Sequence, residues 1–251
     1  MNDREKGELQ RMMDVTRATL YFAKGVILVE GISEAMLLPI LAKRIGYDLA
    51  KLHISVIPIC GVAFETFKKL LAPAALGIPV SLVTDADPPV SRGSSWNEDT
   101  PVTEGLSFKL SDRTKNLVEI FSDHETVRVF HSEITLEYDL AKAGDENAAV
   151  MATIWEQCFI GAPGTFNSTR ISEAGVDRST KALAAWRGIC RADHTGSKAE
   201  FAQRLADALV ERNESNQWKL SFDVPSYLEK AITYVVASCN QPAEEPNTAK
   251  K

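Results

Sequence analysis

The 251-residue sequence carries 28 Lys+Arg against 34 Asp+Glu, a formal net charge of −6, and is 45% hydrophobic and 25% charged. That is ordinary globular composition, long enough for one large domain or two smaller ones with a substantial buried core. No apolar run approaches the roughly 20 residues of a membrane span, and the opening MNDREKGELQRMMDVTRATL mixes charges instead of leading into a hydrophobic signal segment, so a cytoplasmic location without membrane association is expected.

Residues 1–22 read as a leading helix with Leu9, Met12, Met13, Leu20 and Phe22 among its apolar positions. GVILV (25–29) follows as a buried strand, and a helix over roughly 32–45 comes next, with Pro39 predicting a kink or early break and Gly46 a stop. ISVIPI (54–59) is a second strand, 63–76 a helix, and PVSLVT (79–84) a third strand. Residues 88–105 are rich in Pro, Ser and Gly and read as a long loop, a length that marks function or mobility. A helix around 111–122 and a fourth strand, TVRVF (126–130), complete the alternation, which requires crossover connections and a parallel sheet. From about 136 onward only helical patterns remain, among them ENAAVMATIWEQCF, RSTKALAAWRGICR, SKAEFAQRLADALVER and PSYLEKAITYVVAS. The expected organisation is an α/β domain over 23–140, an all-α domain over 141–240 and a disordered tail over 241–251.

Cys60, Cys158, Cys190 and Cys239 show no C-x-x-C pairing, which argues against a zinc site and a disulfide framework, and they read as buried thiols. The histidines lack metal-ligand spacing; His131 alone is kept as a secondary candidate for its acidic neighbours.

The acids are more informative. Ligands of an open parallel sheet bind outside the carboxyl ends of the strands. Glu30 ends the first strand, Asp85 and Asp87 of DAD the third, and Glu133 and Glu137 of HSEITLEYDL follow the fourth. Glu34 lies one helical turn beyond Glu30, Gly31 between them permits a sharp backbone turn, and Ser33 is a site candidate of second rank that helix capping would equally explain. Any one of these acids is as readily a helix cap, but a set of four or five would repel itself without cations. Hard oxygen donors suit Mg²⁺ or Mn²⁺, with Ca²⁺ also admitted, and two such ions suit in-line displacement at phosphorus.

VILVEGISEAMLLPILAKRIG, VIPICGVAFETFKKLL and IPVSLVTDADPP together resemble the toprim domain of topoisomerases, primases and some nucleases, marked by a strand-end glutamate and a later D-x-D. With TLEYDL, TGSKAEFAQRLADAL and FDVPSYLEKAI the order resembles the nuclease half of the OLD (overcoming lysogenization defect) ATP-dependent endonucleases, a Rossmann-like toprim sheet flanked by helices and followed by a helical domain. The resemblance implies a metal-dependent DNA endonuclease in which Glu30, Glu34 and Asp85 hold one divalent ion, Asp85 or Asp87 with Glu137 a second, and Lys198 faces the reacting phosphate, with Glu133 of second rank. It also implies an ABC-type ATPase partner domain, yet the sequence contains no G-x-x-x-x-G-K-[ST] loop, so no ATP site is expected here.

The acidic balance counts against nucleic acid unless cations at the site invert it locally, with Arg92, Lys109, Arg113, Lys115, Arg187 and Arg191 as phosphate contacts. Two other readings compete: a non-catalytic DNA-binding or assembly module of the same fold, and a D-x-D phosphatase. The second is weakened because its nucleophilic aspartate would end an early strand, whereas here a glutamate strand comes first.

Overall fold

A computed structural model describes residues 22–60, 64–68, 71, 77–159, 166–192 and 197–239. The leading helix (but for Phe22), most of the helix expected over 63–76 and the tail lie outside them. Four parallel strands, β1 (Gly25–Val29), β2 (Ile54–Pro58), β3 (Val80–Thr84) and β4 (Val127–His131), pair in the order β2-β1-β3-β4. Every residue of β1 and β3 is buried, as expected of central strands covered on both faces.

The strand pleat sorts these residues into two cores. Val26, Leu28, Val80, Leu82 and Val127 pack with Phe64, Phe67, Leu71, Leu117 and Phe121 on one face. Ile27, Val29 and Val83 meet helix α1 (Ile32–Arg44) and the C-terminal helices on the other. Helix α1 continues through Pro39, so the early break does not occur, and stops before Gly46, whose φ of +93° only glycine adopts freely. The loop over 88–105 is more ordered than its composition suggests: Val90–Ser91 pairs with Thr100–Pro101, and Thr103–Glu104 with Ser107–Phe108.

Helices α2 (Asp112–Ile120), α3 (Leu136–Ala143), α4 (Asn147–Cys158), α5 (Ser168–Glu173), α6 (Arg178–Trp186), α7 (Lys198–Val210) and α8 (Ser226–Cys239) follow, with a π-turn over Arg187–Arg191. The expected division at 140 does not correspond to a gap in packing: α3 crosses it, and Trp155, Phe201 and Ile232 share one core with Ile27 and Val83. Helix α8 lies on the sheet itself. Ser81 Oγ donates to the Ala231 carbonyl at 2.7 Å, and a Cβ on Gly25 would come within 2.5 Å of Val235, so β1 needs a glycine where the last helix crosses it. Among the cysteines, Cys60 is exposed and the other three are half-buried; all are free. Among the described residues no helix is long and apolar enough to cross a membrane.

Candidate metal centre

The carboxyl ends of β1, β3 and β4 open onto one rim, and Asp85, just after β3, stands at its centre. Its Oδ1 accepts from Ser132 Oγ at 3.3 Å and from the Leu136 amide at 2.9 Å, so it supplies from another strand the cap that Thr135 does not give α3. Its Oδ2 has no hydrogen bond among the described residues. Burial, then Glu137, Glu34, Asp87 and Glu30, push this carboxyl well above the usual range. Burial likewise raises Glu34, with Glu137 and Glu30 adding to it, and raises Asp87 together with Glu30.

Cations flank the group. Glu30 accepts the Thr84 hydroxyl on Oε1 and faces both ends of the Arg113 guanidinium, Nη2 at 3.2 Å from Oε1 and Nη1 at 3.4 Å from Oε2. Glu137 is buried, with Lys198 Nζ at 3.0 Å from Oε1 and the Cys190 thiol donating to Oε2 at 3.3 Å. Burial alone would raise Glu137, but Lys198 and the hydrogen bonds overcome it and its pKa lies below the usual value. Lys198 is correspondingly raised: burial lowers it, and Glu137 more than compensates.

The donors fit a hard dication. They are carboxylates from three strand ends, of which Glu34, Asp85 and Asp87 are raised by burial and by their acidic neighbours, with one oxygen of Asp85 uncommitted. Among the described residues no three of the acids, histidines or cysteines are yet drawn together closely enough to hold an ion, so loading would require the side chains to close in.

Residues 21–87 match the family described as Overcoming lysogenization defect protein-like, TOPRIM domain. The chain carries an OLD-like toprim domain. Its fold is shared with the C-terminal region of the Burkholderia pseudomallei OLD protein, with a TM-score of 0.58 and 24% identity over 87% of this chain and 99% of that one. It is also shared with the C-terminal region of the Xanthomonas campestris pv. campestris OLD protein phased with platinum, at TM-score 0.55 and 22% identity over 88% and 96% of the two chains. No curated protein matches the sequence.

Glu30, Glu34, Asp85 and Asp87 fall inside the toprim match; Glu137 and Lys198 lie beyond it, in the part related by fold alone. These six residues are brought to one rim. Glu133 is not, because its carboxylate turns outward to Lys142 at 2.5 Å, and with His131 it borders a separate cavity of about 440 Å³. Gly31 is extended (φ −141°), so it makes no strained turn; it leaves room instead, since an added Cβ would stand 3.2 Å from Glu34 Oε2. Gly31 is itself the N-cap of α1, which leaves Ser33 in the first turn and not at the cap.

The expected phosphate contacts divide. Arg92 and Lys109 carry no ion pair among the described residues, Lys115 meets Glu104 at 3.4 Å, and Arg113 is docked on Glu30. Arg187 and Arg191 are engaged elsewhere. Arg187 Nε donates to the Asp99 carbonyl, and Arg191 grips the buried Asp99 carboxylate at 2.8 and 2.5 Å. These two arginines anchor the long loop to the π-turn.

Sequence reasoning missed Thr84, Ser132, Cys190 and Tyr227. Thr84 and Ser132 are polar residues at strand ends, a signal the sequence did offer. Cys190 and Tyr227 arrive from distant helical segments with no local mark. Burial and the surrounding carboxylates of Asp85, Asp139, Glu34 and Glu137 push the Tyr227 phenol well up.

Proposed function

We propose that this chain is the catalytic module of a metal-dependent DNA endonuclease of the OLD type. The observation that supports the reading is the convergence of Glu30, Glu34, Asp85, Asp87 and Glu137 on one sheet edge with Lys198 beside them. Glu30, Glu34 and Asp85 would hold one Mg²⁺ or Mn²⁺, and Asp85 or Asp87 with Glu137 a second. Such ions supply a water acidified for attack and charge stabilisation at the leaving 3′ oxygen.

The protein's own groups do the rest. Asp85 is fixed through one oxygen by Ser132 and the α3 amide, which leaves the other for an ion. Lys198 is positioned to offset charge developing on the phosphorane, and Glu137 keeps it protonated at any physiological pH. Asp85 is a poor candidate for a phosphatase nucleophile, since one of its oxygens is committed to Ser132 and to capping α3. A binding module would have no use for so many mutually repelling acids. In a full-length protein of this type an ATPase domain would regulate the site.

The test is plasmid relaxation and linearisation by the purified chain with Mg²⁺, Mn²⁺, Ca²⁺ or EDTA, beside Glu30→Ala, Asp85→Ala and Lys198→Ala. Metal-dependent cutting lost in all three variants is expected. A parent inert with every metal, or Glu30 and Asp85 variants that cut as well as the parent, would refute the reading.

A further inference from the structure

Arg113 was expected to be an open phosphate contact, but its guanidinium is spent on Glu30. A carboxylate offers about four lone-pair positions. On Glu30 one position on Oε2 is taken by Arg113 Nη1 and one on Oε1 by the Thr84 hydroxyl, and Nη2 stands 3.2 Å from Oε1 as an ion pair, so the guanidinium charge lies against both oxygens. A divalent ion reaching Glu30 would have to sit beside that guanidinium, whose positive charge opposes it, so the ion and the fork compete for the same carboxylate.

The backbone around Arg113 is firmly placed. The first turn of α2 is tied to the D-x-D segment, with the Ser111 amide donating to the Ala86 carbonyl at 3.0 Å and Thr114 Oγ1 to the Asp85 carbonyl at 2.9 Å. Ser111 also caps the helix through the Thr114 amide. The backbone of Arg113 is therefore fixed between two hooks, while its side chain is 55% exposed and free to swing. Glu30, at 23%, is not.

From this geometry we propose that Arg113 is an exchangeable counter-ion: it holds Glu30 until it is exchanged for a divalent cation, and the released guanidinium then binds a phosphate of the nucleic-acid strand. The inference rests on the metal-centre reading of Glu30 and extends it. Before exchange, Arg113 limits the repulsion among the acids and keeps Glu30 ordered. After exchange, its planar fork matches two oxygens of a phosphate, beside the group it has just left. The same residue thereby makes strand binding at this edge depend on ion loading.

The experiment uses the parent chain, Arg113→Ala and Arg113→Lys in two assays that need no cleavage. In calorimetric titration with Mn²⁺ alone, Arg113→Ala should bind about 3- to 10-fold more tightly, because a competing ion pair is gone, with Arg113→Lys between. In anisotropy with a short labelled duplex, Arg113→Ala should weaken binding only when Ca²⁺ is present, lowering the salt slope by about 1, and should match the parent in EDTA. Unchanged or weaker Mn²⁺ affinity in Arg113→Ala overturns the exchange while leaving the metal centre standing. An equal loss of duplex binding with and without Ca²⁺ also overturns it, since Arg113 would then be a standing contact. If neither parent nor variant binds Mn²⁺, the metal centre itself fails and the exchange with it.

Discussion

Lys198 Nζ lies 3.0 Å from Oε1 of Glu137, joining the first residue of α7 to a buried carboxylate in the first turn of α3. The pair is asymmetric: the lysine side chain is 47% exposed and the glutamate 8%. Removing the cation strands a charge in the interior, whereas removing both costs little. Lys198→Ala should therefore destabilise the chain by about 1–3 kcal/mol after allowance for the lysine's exposure, and adding Glu137→Gln should restore most of it without restoring cleavage. Urea unfolding of the two variants at pH 8 reads the difference. Because the folded-state pKa of Glu137 is depressed, the parent's contribution from this pair is present at neutral pH and is lost as pH falls below the ordinary carboxylate range.

The other oxygen of Glu137 is held by Cys190, whose thiol is itself pushed well up by burial and then by Glu137. A protonated thiol is therefore the donor. Cys190→Ala should lower the turnover number about 3- to 10-fold, the worth of one hydrogen bond, and leave the KM for DNA unchanged; Cys190→Ser should keep the donor and the rate. A fall in Cys190→Ser as large as in Cys190→Ala would assign the residue to packing alone.

Asp85 is a carboxylate the fold would be more stable without. Asp85→Asn keeps an oxygen for Ser132 and the Leu136 amide but removes the charge that Glu137, Glu34, Asp87 and Glu30 oppose. In EDTA its Tm should rise by about 4–8 °C for each 1 kcal/mol relieved if the chain unfolds like a small domain, and by about half that at this length. Mn²⁺ should raise the Tm of the parent and not of the variant. An Asp85→Asn protein that melts lower in EDTA would show that the ionised group is satisfied as it stands.

Much of this was legible in the sequence. Alternating β-branched runs and helical patterns gave all four core strands to within one or two residues, and the acids at their carboxyl ends marked the rim. Two kinds of feature were not legible. Pairings between distant segments, such as Asp99 with Arg191 or Cys190 with Glu137, leave no periodic trace, so arginines that staple a loop read like arginines free for phosphate. The docking of helix α8 was not legible either: its amphipathic pattern records that one face is buried but not that the sheet is what buries it.

The Asp99–Arg191 staple yields its own test. The Asp99 side chain is 6% exposed and that of Arg191 27%, and the Gly93 amide also donates to Asp99 at 3.1 Å. Arg191→Ala should lower the urea midpoint and increase amide exchange across 88–105, while leaving the salt dependence of DNA binding unchanged. A reduced salt slope with unchanged stability would return Arg191 to the phosphate contacts.

Asp139 supplies a pH signature separate from the rim. Its Oδ2 accepts from the Glu133 and Ile134 amides at 2.9 and 3.4 Å, yet burial pushes the carboxyl from 3.8 to about 7. The folded value lies above the unfolded one, so the native state holds the proton longer. The stability tied to this group is full below about pH 4, falls as pH rises and levels off above about pH 7. Three pH units correspond to about 4 kcal/mol. Asp139→Asn keeps an acceptor for both amides and cannot ionise, so it should match the parent at pH 4 and exceed it by up to about 4 kcal/mol at pH 8. Guanidinium unfolding of the two proteins at several pH values isolates the effect, because titrating groups that do not interact with Asp139 cancel in the difference. A difference that stays flat from pH 4 to 8 would mean that the two amides suffice to keep Asp139 ionised inside the fold.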